Sequence, residues 1–147
     1  MHLLVLSCSA RKRSVPEGPL PALDRYDGQF FRILRKSGVL STNHLHIVIL
    51  SARFGFLTAT SPIPWYDQKI TPDQAIRLRP QVEDGFQKLS ETPWDSIFVN
   101  LGQTYAPLVV GIPILETAAW ATGPIGKRSR QLTAWLSRLK TQIAENT

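Results

Sequence analysis

The sequence is short of cysteine and histidine and has no long hydrophobic run. Its single cysteine, Cys8, excludes an internal disulfide, and one Cys with three His is too few for a Cys-rich zinc site. The N-terminal apolar run ends at Leu6 and cations follow it, the reverse order of a secretory signal, and a membrane-spanning helix needs roughly 20 apolar residues. We therefore expect a cytoplasmic protein that holds no metal, needs no cofactor and has no membrane partner.

Acidic residues are also scarce. The 147 residues include 11 Asp and Glu against 17 Lys and Arg, which gives a net charge of +6. A basic balance favours a nucleotide or nucleic acid as partner, although moderate positive charge also serves solubility. With 43% hydrophobic and 19% charged residues, the composition is that of a globular protein, and residues 1–147 are predicted to form a single domain. A homodimer or a partner protein is compatible with this composition.

The first strand is predicted over residues 3–6, an apolar run typical of a strand buried on both faces. Polar residues follow it at once, and four of them are predicted to bind phosphate: Ser7, Ser9, Arg11 and Lys12. Ligands of an open α/β sheet bind outside the carboxyl ends of its strands, where small hydroxyl residues let N–H groups approach an anion. The alternative is a solvated basic loop. We expect Cys8, between the two serines, to pack against the core and not to act as a nucleophile.

The second predicted strand, residues 44–52, has a similar ending. Ser51 and Arg53 follow its apolar run with one alanine between them. Because neighbouring parallel strands end at the same edge of a sheet, both residues are predicted to join the phosphate site. Gly55 is predicted to take a backbone conformation closed to residues with side chains, beside the pocket.

Helices are predicted over 24–37, over 72–90 and from Lys127 onwards, each from apolar residues at helical spacing. Pro80 predicts a break near Arg79 in the second of these helices. Lys127 opens the last helix, where a cation opposes the helix dipole, so it is predicted to bind a phosphate, and the alternative is a solvated basic helix end.

Aromatic and acidic side chains supply further candidates. Trp65 and Tyr66 follow a proline in a loop and are predicted to stack on a base, or alternatively to anchor the loop to the core. Asp67 beside them is a candidate catalytic acid or base. A fourth strand is predicted over 112–115, which places Glu116 at a strand end as a second catalytic candidate, or alternatively as the ion-pair partner of a cation.

Three more residues are predicted to lie in the pocket. Tyr26 is near the start of the first helix, and Gly102 and Tyr105 follow the third predicted strand, residues 97–101. The proline-rich loop 14–24 is long for a compact domain, so we expect it to fold over the pocket as a flap.

The alternation of strands and helices predicts an α/β domain with right-handed crossovers. We expect a Rossmann-like arrangement of three layers, with helices on both faces of a mostly parallel sheet of about four strands. The carboxyl edge of this sheet is the predicted functional edge.

Several motifs stand out in combination: residues 6–12, 26–28, 49–57, 63–67 and 126–127, with Gly102 and Tyr105. Together they resemble a widespread microbial family of small domains of unknown function, loosely allied to the YaaA peroxide-stress proteins. Segment 8–12 is also similar to a motif in a domain of archaeosine synthase, an enzyme of deazaguanine tRNA modification. The resemblance spans nearly the whole chain and implies an α/β fold and a role in nucleic-acid or modified-nucleobase biology. Arg53 and Trp65 depart from the family pattern.

Two functions compete on this evidence. The first is an enzyme directed at a nucleotide, a nucleobase or nucleic acid, with N-glycosidic or base-transfer chemistry in which Asp67 or Glu116 is the acid or base. The second is a non-enzymatic, basic nucleic-acid-binding module, in which the cations of 127–130 with Arg138 and Lys140 contact backbone phosphates. A partner subunit with a relic pocket is a third possibility.

Overall fold

The computed structural model describes residues 1–14 and 18–146. Within them lie seven strands and four α-helices, here named in chain order: β1 His2–Ser7, β2 Leu20–Pro21, α1 Ala22–Arg25, α2 Gln29–Lys36, β3 Leu45–Ser51, β4 Gly55–Thr58, β5 Pro62–Ile63, α3 Pro72–Leu89, β6 Ser96–Asn100, β7 Ala119–Trp120 and α4 Ile125–Glu145. Short 3-10 helices cover Val39–Thr42, Gln103–Leu108 and Pro113–Thr117. No helix in the described part of the chain is long and apolar enough to cross a membrane.

The main sheet has five strands in the order β4-β3-β1-β6-β7, one more than the sequence predicts. β1 pairs in parallel with β3 and β6, β6 pairs in parallel with β7, and β4 runs antiparallel to β3. β1 takes the centre because its apolar run is buried on both faces, as expected for a strand with a neighbour on each side. The prediction of a mixed α/β fold with a mostly parallel sheet is therefore confirmed.

Each face of the sheet has its own hydrophobic core. Leu4 and Leu6 point to the face that packs against α2 and α4, where Leu132 and Trp135 are buried. The alternate residues of β1 point to the other face, against α3. The period of two along β1 thus supplies side chains to both cores.

The predicted strand over 112–115 is wrong, because this segment enters the 3-10 helix Pro113–Thr117. Pro113 has no N–H to donate to a sheet, and it occupies the first turn of the helix instead. The outer neighbour of β6 is β7, and Glu116 is exposed on the 3-10 helix and not at a strand end.

Two helix predictions also need correction. The helix predicted over 24–37 is interrupted, because the backbone of Tyr26 is extended and pairs with Lys12 in an isolated bridge. The helix predicted to break near Arg79 is continuous through Pro80, which lies on the exposed side of α3. Pro80 has no N–H to donate to the carbonyl oxygen of Ile76, one turn earlier in the helix. Ile76 is also exposed.

The predicted flap, residues 14–24, is described only in part, because 15–17 lie outside the described residues. Its flanks are joined by Arg25, whose buried guanidinium donates hydrogen bonds to the carbonyl oxygens of Arg13 (2.7 Å) and Gly18 (2.5 Å). This segment is therefore tied to α1.

Candidate functional site

The candidate site lies at the carboxyl ends of β1 and β6. From β1 the chain first adds β3 on one side and later returns to add β6 on the other, so the topology reverses between β1 and β6. In open α/β sheets ligands bind at such a switch point. A cavity of about 280 Å³ opens there, lined by 7–11 after β1, by 28–31 at the start of α2, by Gly102 after β6, and by Ile125 and Arg128 of α4.

Two serine hydroxyls hold the loop after β1 against its neighbours. Ser7 Oγ accepts a hydrogen bond from the Gly102 N–H (3.2 Å), which joins the ends of β1 and β6. Ser9 Oγ accepts from the Gly28 N–H (3.1 Å) and donates to the Arg11 carbonyl oxygen (2.6 Å). Both hydroxyls line the cavity, as their sequence position predicts.

Two helices start at this cavity, α2 after Gly28 and α4 after Pro124. Among the described residues, neither has a side-chain cap or an acidic residue in its first turn. The first N–H groups of a helix lack partners within the helix and form a positive pole that favours anions. The close contact of Gly28 with the β1 loop brings the start of α2 to the cavity, since a Cβ on Gly28 would lie 2.6 Å from Ser9 Cβ.

Arg128 is the α4 cation that lines the cavity. Its Nη1 donates hydrogen bonds to Asn100 Oδ1 (3.0 Å) and to the Leu101 carbonyl oxygen (3.3 Å), and its guanidinium lies 5.1 Å from the Phe30 ring centre. Lys127, which the sequence predicts to bind a phosphate, is exposed and is not among the described lining residues. One residue along a helix turns the side chain by about 100°, so Lys127 and Arg128 lie on different sides of α4.

Asp27 organises the cations beside the cavity and was not predicted. Its carboxylate contacts Arg11 Nε (3.6 Å), Arg32 Nη2 (3.0 Å) and Arg35 Nη2 (2.6 Å). The hydrogen bond from Arg32, with the charges of nearby arginines, lowers the pKa of Asp27 below its ordinary value. The signal available in the sequence was an acidic residue two positions before α2, with arginines five and eight residues later on that helix.

All three tyrosines of the chain gather near its only cysteine. Tyr26 Oη lies 2.5 Å from Tyr66 Oη, which lies 2.8 Å from Ser51 Oγ, and Cys8 Sγ lies 2.9 Å from Tyr105 Oη. Burial raises the pKa of each tyrosine, so all three hydroxyls are protonated at neutral pH. We refer to these five residues as the tyrosine cluster.

Lys12 covers the tyrosine cluster. Its ammonium lies 4.5 Å from the Tyr66 ring centre and 5.9 Å from that of Tyr26, within the range of cation–π contact. Burial lowers the pKa of Lys12, while the neighbouring Cys8 and Asp67 act in the opposite direction. Lys12 thus connects the loop after β1 with the segment that carries Asp67.

Several predicted site residues lie outside the cavity. Ser51 is 0% exposed and accepts the N–H groups of Arg53 (3.1 Å) and Phe54 (3.0 Å), so its hydroxyl caps the turn after β3 and is not open to a phosphate. Tyr66 is 3% exposed, and its ring is packed against its neighbours instead of facing solvent, whereas Trp65 is 50% exposed.

The remaining predicted site residues are Arg53, Gly55 and Asp67. Arg53 is exposed and its guanidinium lies 5.2 Å from the Phe54 ring centre. Gly55 has φ +71°, the conformation that its prediction requires, and faces Gln81 of α3, outside the cavity. Asp67 is exposed. Among the described residues, no group of three or more His, Cys, Asp or Glu side chains is placed to hold a metal.

Comparison of the chain with models of protein families, with curated proteins and with solved structures finds no match.

Proposed function

We propose that the protein is an enzyme directed at a nucleotide, a nucleobase or a nucleic acid, and that it binds the ligand's anionic group in the cavity between β1 and β6. One observation carries the proposal: the cavity lies at the topological switch point, between two uncapped helix starts and two cations, Arg11 and Arg128. Arginine guanidinium groups and helix N–H groups are suited to phosphate oxygens.

N-glycosidic or base-transfer chemistry needs a carboxylate near the ligand. Asp67 is the better candidate, because it is exposed and close enough to Lys12 to influence its pKa. Glu116 is exposed on the 3-10 helix after β6 and is not among the described residues that line the cavity. Trp65, half exposed beside Tyr66, supplies a ring on which a base can stack.

Two further points belong to this proposal. The helices against opposite faces of the sheet support a Rossmann-like arrangement of three layers. The resemblance of segment 8–12 to a motif of archaeosine synthase favours a modified nucleobase, such as a deazaguanine, as the base portion of the ligand. A separate resemblance, carried by the motifs at 6–12, 26–28, 49–57, 63–67 and 126–127, supports the proposal that the chain is related to the family allied to the YaaA proteins.

A non-enzymatic nucleic-acid-binding module is the second candidate, and the surface of α4 favours it. Lys127, Arg130, Arg138 and Lys140 are all exposed on this helix. Contacts between such cations and backbone phosphates release counterions, so this binding weakens steeply as salt is added.

The experiment that separates these functions is a thermal-shift screen of nucleobases, deazaguanines, nucleosides, nucleotides, DNA and RNA at low and high salt. Binding to the folded state raises the midpoint of unfolding by mass action. We expect a shift with a nucleotide or base that persists at high salt. Any ligand found is then incubated with the protein and analysed for release or exchange of its base.

The matched variants are Arg11→Gln and Arg13→Gln, which remove the same charge from neighbouring positions. Arg11 lines the cavity, and Arg13 is exposed and is not among the described lining residues. We expect the shift to be lost in Arg11→Gln and kept in Arg13→Gln. Shifts with oligonucleotides alone, abolished by salt, would favour the binding module, and the absence of any shift would reject both functions.

A further inference from the structure

The cavity between β1 and β6 is the first of three adjoining cavities along the carboxyl edge of the sheet. It shares Ile125 and Arg128 with a second cavity, of about 530 Å³, beside the loop between β7 and α4. The second cavity shares Thr104 with a third, of about 540 Å³, between the start of α3 and the 3-10 helix Gln103–Leu108. The three cavities form a row that passes the end of β6, from the start of α2 to the start of α3.

The first cavity is small for a whole nucleotide. Its volume of about 280 Å³ lies below the roughly 300–1,000 Å³ that is typical of ligand pockets, so it suits the anionic group of a ligand better than the complete ligand. Lys12, the residue after the lining residue Arg11, extends from this cavity to the Tyr66 ring, 4.5 Å from its ammonium. The second cavity adjoins on the other side. A ligand whose anionic group lies here therefore has space in two directions.

The charges along the row suit an anionic chain. None of the lining residues described for the three cavities is Asp or Glu, whereas Arg11, Arg128 and Arg79 each line one or two of them. Arg79 is already paired with Glu83, so the uncompensated positive charge lies at the first and second cavities. Arg128 Nη1 makes both hydrogen bonds that join this side chain to the described residues, and its other N–H groups make none.

The second and third cavities have walls that suit unpaired bases. Gln103 and Thr104 in the second cavity are exposed, and neither side chain has a hydrogen bond in the described part of the chain. The amide of Gln103 offers a donor and an acceptor, which base edges require. The third cavity is mainly apolar and includes Pro72 and Ile76, of which Ile76 is 72% exposed. Exposed apolar surface of this kind marks binding sites.

We propose that the ligand is a single-stranded nucleic acid that lies along this row. One phosphodiester binds in the cavity between β1 and β6, one of its nucleosides lies towards Trp65 and Asp67, and the nucleotides on the other side occupy the second and third cavities. The strand is single because only unpaired bases can enter these cavities. This inference rests on the proposed function and names its substrate class: a nucleic acid, in preference to a free nucleotide or nucleobase.

Calorimetric titration of the full chain with ligands of increasing length tests the inference. The ligands are nucleoside 5′-monophosphates, dinucleoside monophosphates and trinucleoside diphosphates of ribose and deoxyribose, with each common base. We expect at least one dinucleoside monophosphate to bind about tenfold more tightly than any mononucleotide, and its trinucleoside extension to bind more tightly again. Charge cannot explain the first gain, because a phosphodiester carries one negative charge and a terminal phosphate about 1.5–2.

Gln103→Ala tests the second cavity. The substitution removes an exposed amide, so the variant should fold, and the loss of a hydrogen bond to a base should weaken dinucleoside binding several-fold. Mononucleotide binding should change by about twofold or less. Gln142→Ala is the matched control, because Gln142 is exposed near the end of α4 and is not among the described lining residues. This control should bind every ligand as the parent protein does.

Ile76→Glu tests the third cavity by placing a negative charge in its apolar wall. We expect the affinity for trinucleoside diphosphates to fall several-fold through repulsion of the second phosphate, with mononucleotide binding unchanged. Gln87→Glu adds the same charge at an exposed position further along α3, outside the described lining of the three cavities, and should leave all affinities unchanged.

The outcomes separate this inference from the proposed function. A mononucleotide or nucleobase that binds as tightly as every longer ligand would overturn the inference and leave the proposed function standing. Affinity that increases with length but is the same in Gln103→Ala, Ile76→Glu and the parent protein would overturn the inference, because the strand would then bind elsewhere, as on the cations of α4. Absence of binding by any of these ligands would overturn the inference and the proposed function together.

Discussion

Individual hydroxyl groups in the tyrosine cluster have different structural importance. The Tyr66 hydroxyl lies between Tyr26 Oη and Ser51 Oγ, so it serves two buried partners. Tyr66→Phe keeps the ring but removes the shared hydrogen-bonding group. We expect the free energy of unfolding to fall by about 1–3 kcal/mol, the cost of leaving buried polar groups unsatisfied. Urea denaturation measures this change.

Tyr105→Phe is the matched control, because it also removes one phenolic oxygen. Tyr105 is half-buried, and its hydroxyl contacts only the Cys8 sulfur among the hydrogen bonds described for it. A thiol is a weak hydrogen-bonding partner, so we expect a loss below about 1 kcal/mol. Equal destabilisation by the two substitutions would contradict the central position assigned to Tyr66.

Gly28 is a second residue whose size matters. A Cβ at this position would lie 2.6 Å from Ser9 Cβ, a distance that forces the β1 loop and the start of α2 apart. We expect Gly28→Ala to destabilise the protein by about 1–3 kcal/mol, as overpacking does, and to weaken ligand binding in the cavity. Thermal unfolding, and repetition of the ligand screen on the variant, measure the two effects.

Gly126→Ala is the control for stability, since the added methyl group meets only Arg130 Nη1, at an ordinary contact distance of 3.9 Å. Alanine is a better helix former, so this variant is expected to be as stable as the parent or slightly more stable. Ser9→Gly removes the clashing Cβ together with the Ser9 hydroxyl, so the double variant is compared with Ser9→Gly alone. Gly28→Ala should cost less stability in the Ser9→Gly background than in the parent, and an equal cost in both would show that the contact with Ser9 is not the cause.

The residues that line the cavity could be predicted only where the sequence makes the end of a strand evident. Ser7 and Ser9 line the cavity because they follow a strand whose end is evident from its apolar run. Ser51 has the same sequence context, but its hydroxyl turns back to cap the next turn. The direction of a side chain at a strand end depends on the following loop, and the sequence alone does not determine that direction.

At the scale of elements, α3 shows how position decides the effect of a proline. Pro80 lies within the continuous helix, on its exposed side. Proline in a helix interior costs about 3 kcal/mol relative to alanine, partly offset by the restricted unfolded chain. We therefore expect Pro80→Ala to raise the free energy of unfolding by about 1–2 kcal/mol in urea denaturation.

Arg77→Ala provides the comparison on the same helix. Arg77 is exposed, and substitutions at such positions usually change stability by less than about 0.5 kcal/mol. A Pro80→Ala variant no more stable than Arg77→Ala would indicate that the proline ring contributes packing that its exposure does not suggest.

Elements with long apolar patterns were predictable and short ones were not. The strands β1, β3 and β6 follow from continuous apolar runs, and α4 follows from its helical spacing. β7 has only two residues, both exposed, and its pairing with β6 depends on the tertiary structure. The preceding segment looked more like a strand because it is rich in Ile and Leu, but Pro113 starts a 3-10 helix there.

At the scale of the whole molecule, the topology assembles a site that no single segment encodes. The switch point between β1 and β6 follows from the strand order, and a cavity opens at the carboxyl edge that the sequence predicts to be functional. The sequence predicts Tyr26, Tyr66 and Tyr105 at one site, but their hydrogen bonds with one another and with Ser51 and Cys8 depend on the tertiary structure. The position of Asn100 was equally hard to predict, because the sequence places it inside the predicted strand 97–101, whereas β6 ends at this residue.

Stability in acid is also a property of the whole molecule, because titrating groups at both ends of the sheet contribute to the free energy of unfolding. Burial lowers the pKa of His2 and of His46 below the ordinary value of 6.5. In the unfolded chain these histidines bind protons as the pH falls below 6.5, while in the folded protein they remain neutral to a lower pH. The unfolded state then binds more protons, so the free energy of unfolding must decrease with falling pH.

A second decrease is expected in stronger acid. The pKa of Asp27 is lowered by its arginine partners, so its contribution is fully present above the ordinary value of 3.8 and is lost as the pH falls through the folded value. Urea denaturation across the pH range should therefore show a decline beginning near 6.5 and a further decline below 3.8.

Substitution of single histidines identifies the residue responsible for the first decline in the free energy of unfolding. His46→Gln removes a titrating group whose ring is half-buried beside Trp94, and it should flatten the decline that begins near pH 6.5. His44→Gln, two residues earlier and exposed, is the matched control and should retain the decline. If both variants kept the full slope, the acid sensitivity would have to come from His2, whose Nδ1 lies 2.7 Å from Ser96 Oγ. An increase in stability from pH 6.5 downwards would contradict the sign, because it requires the folded state to bind the extra protons.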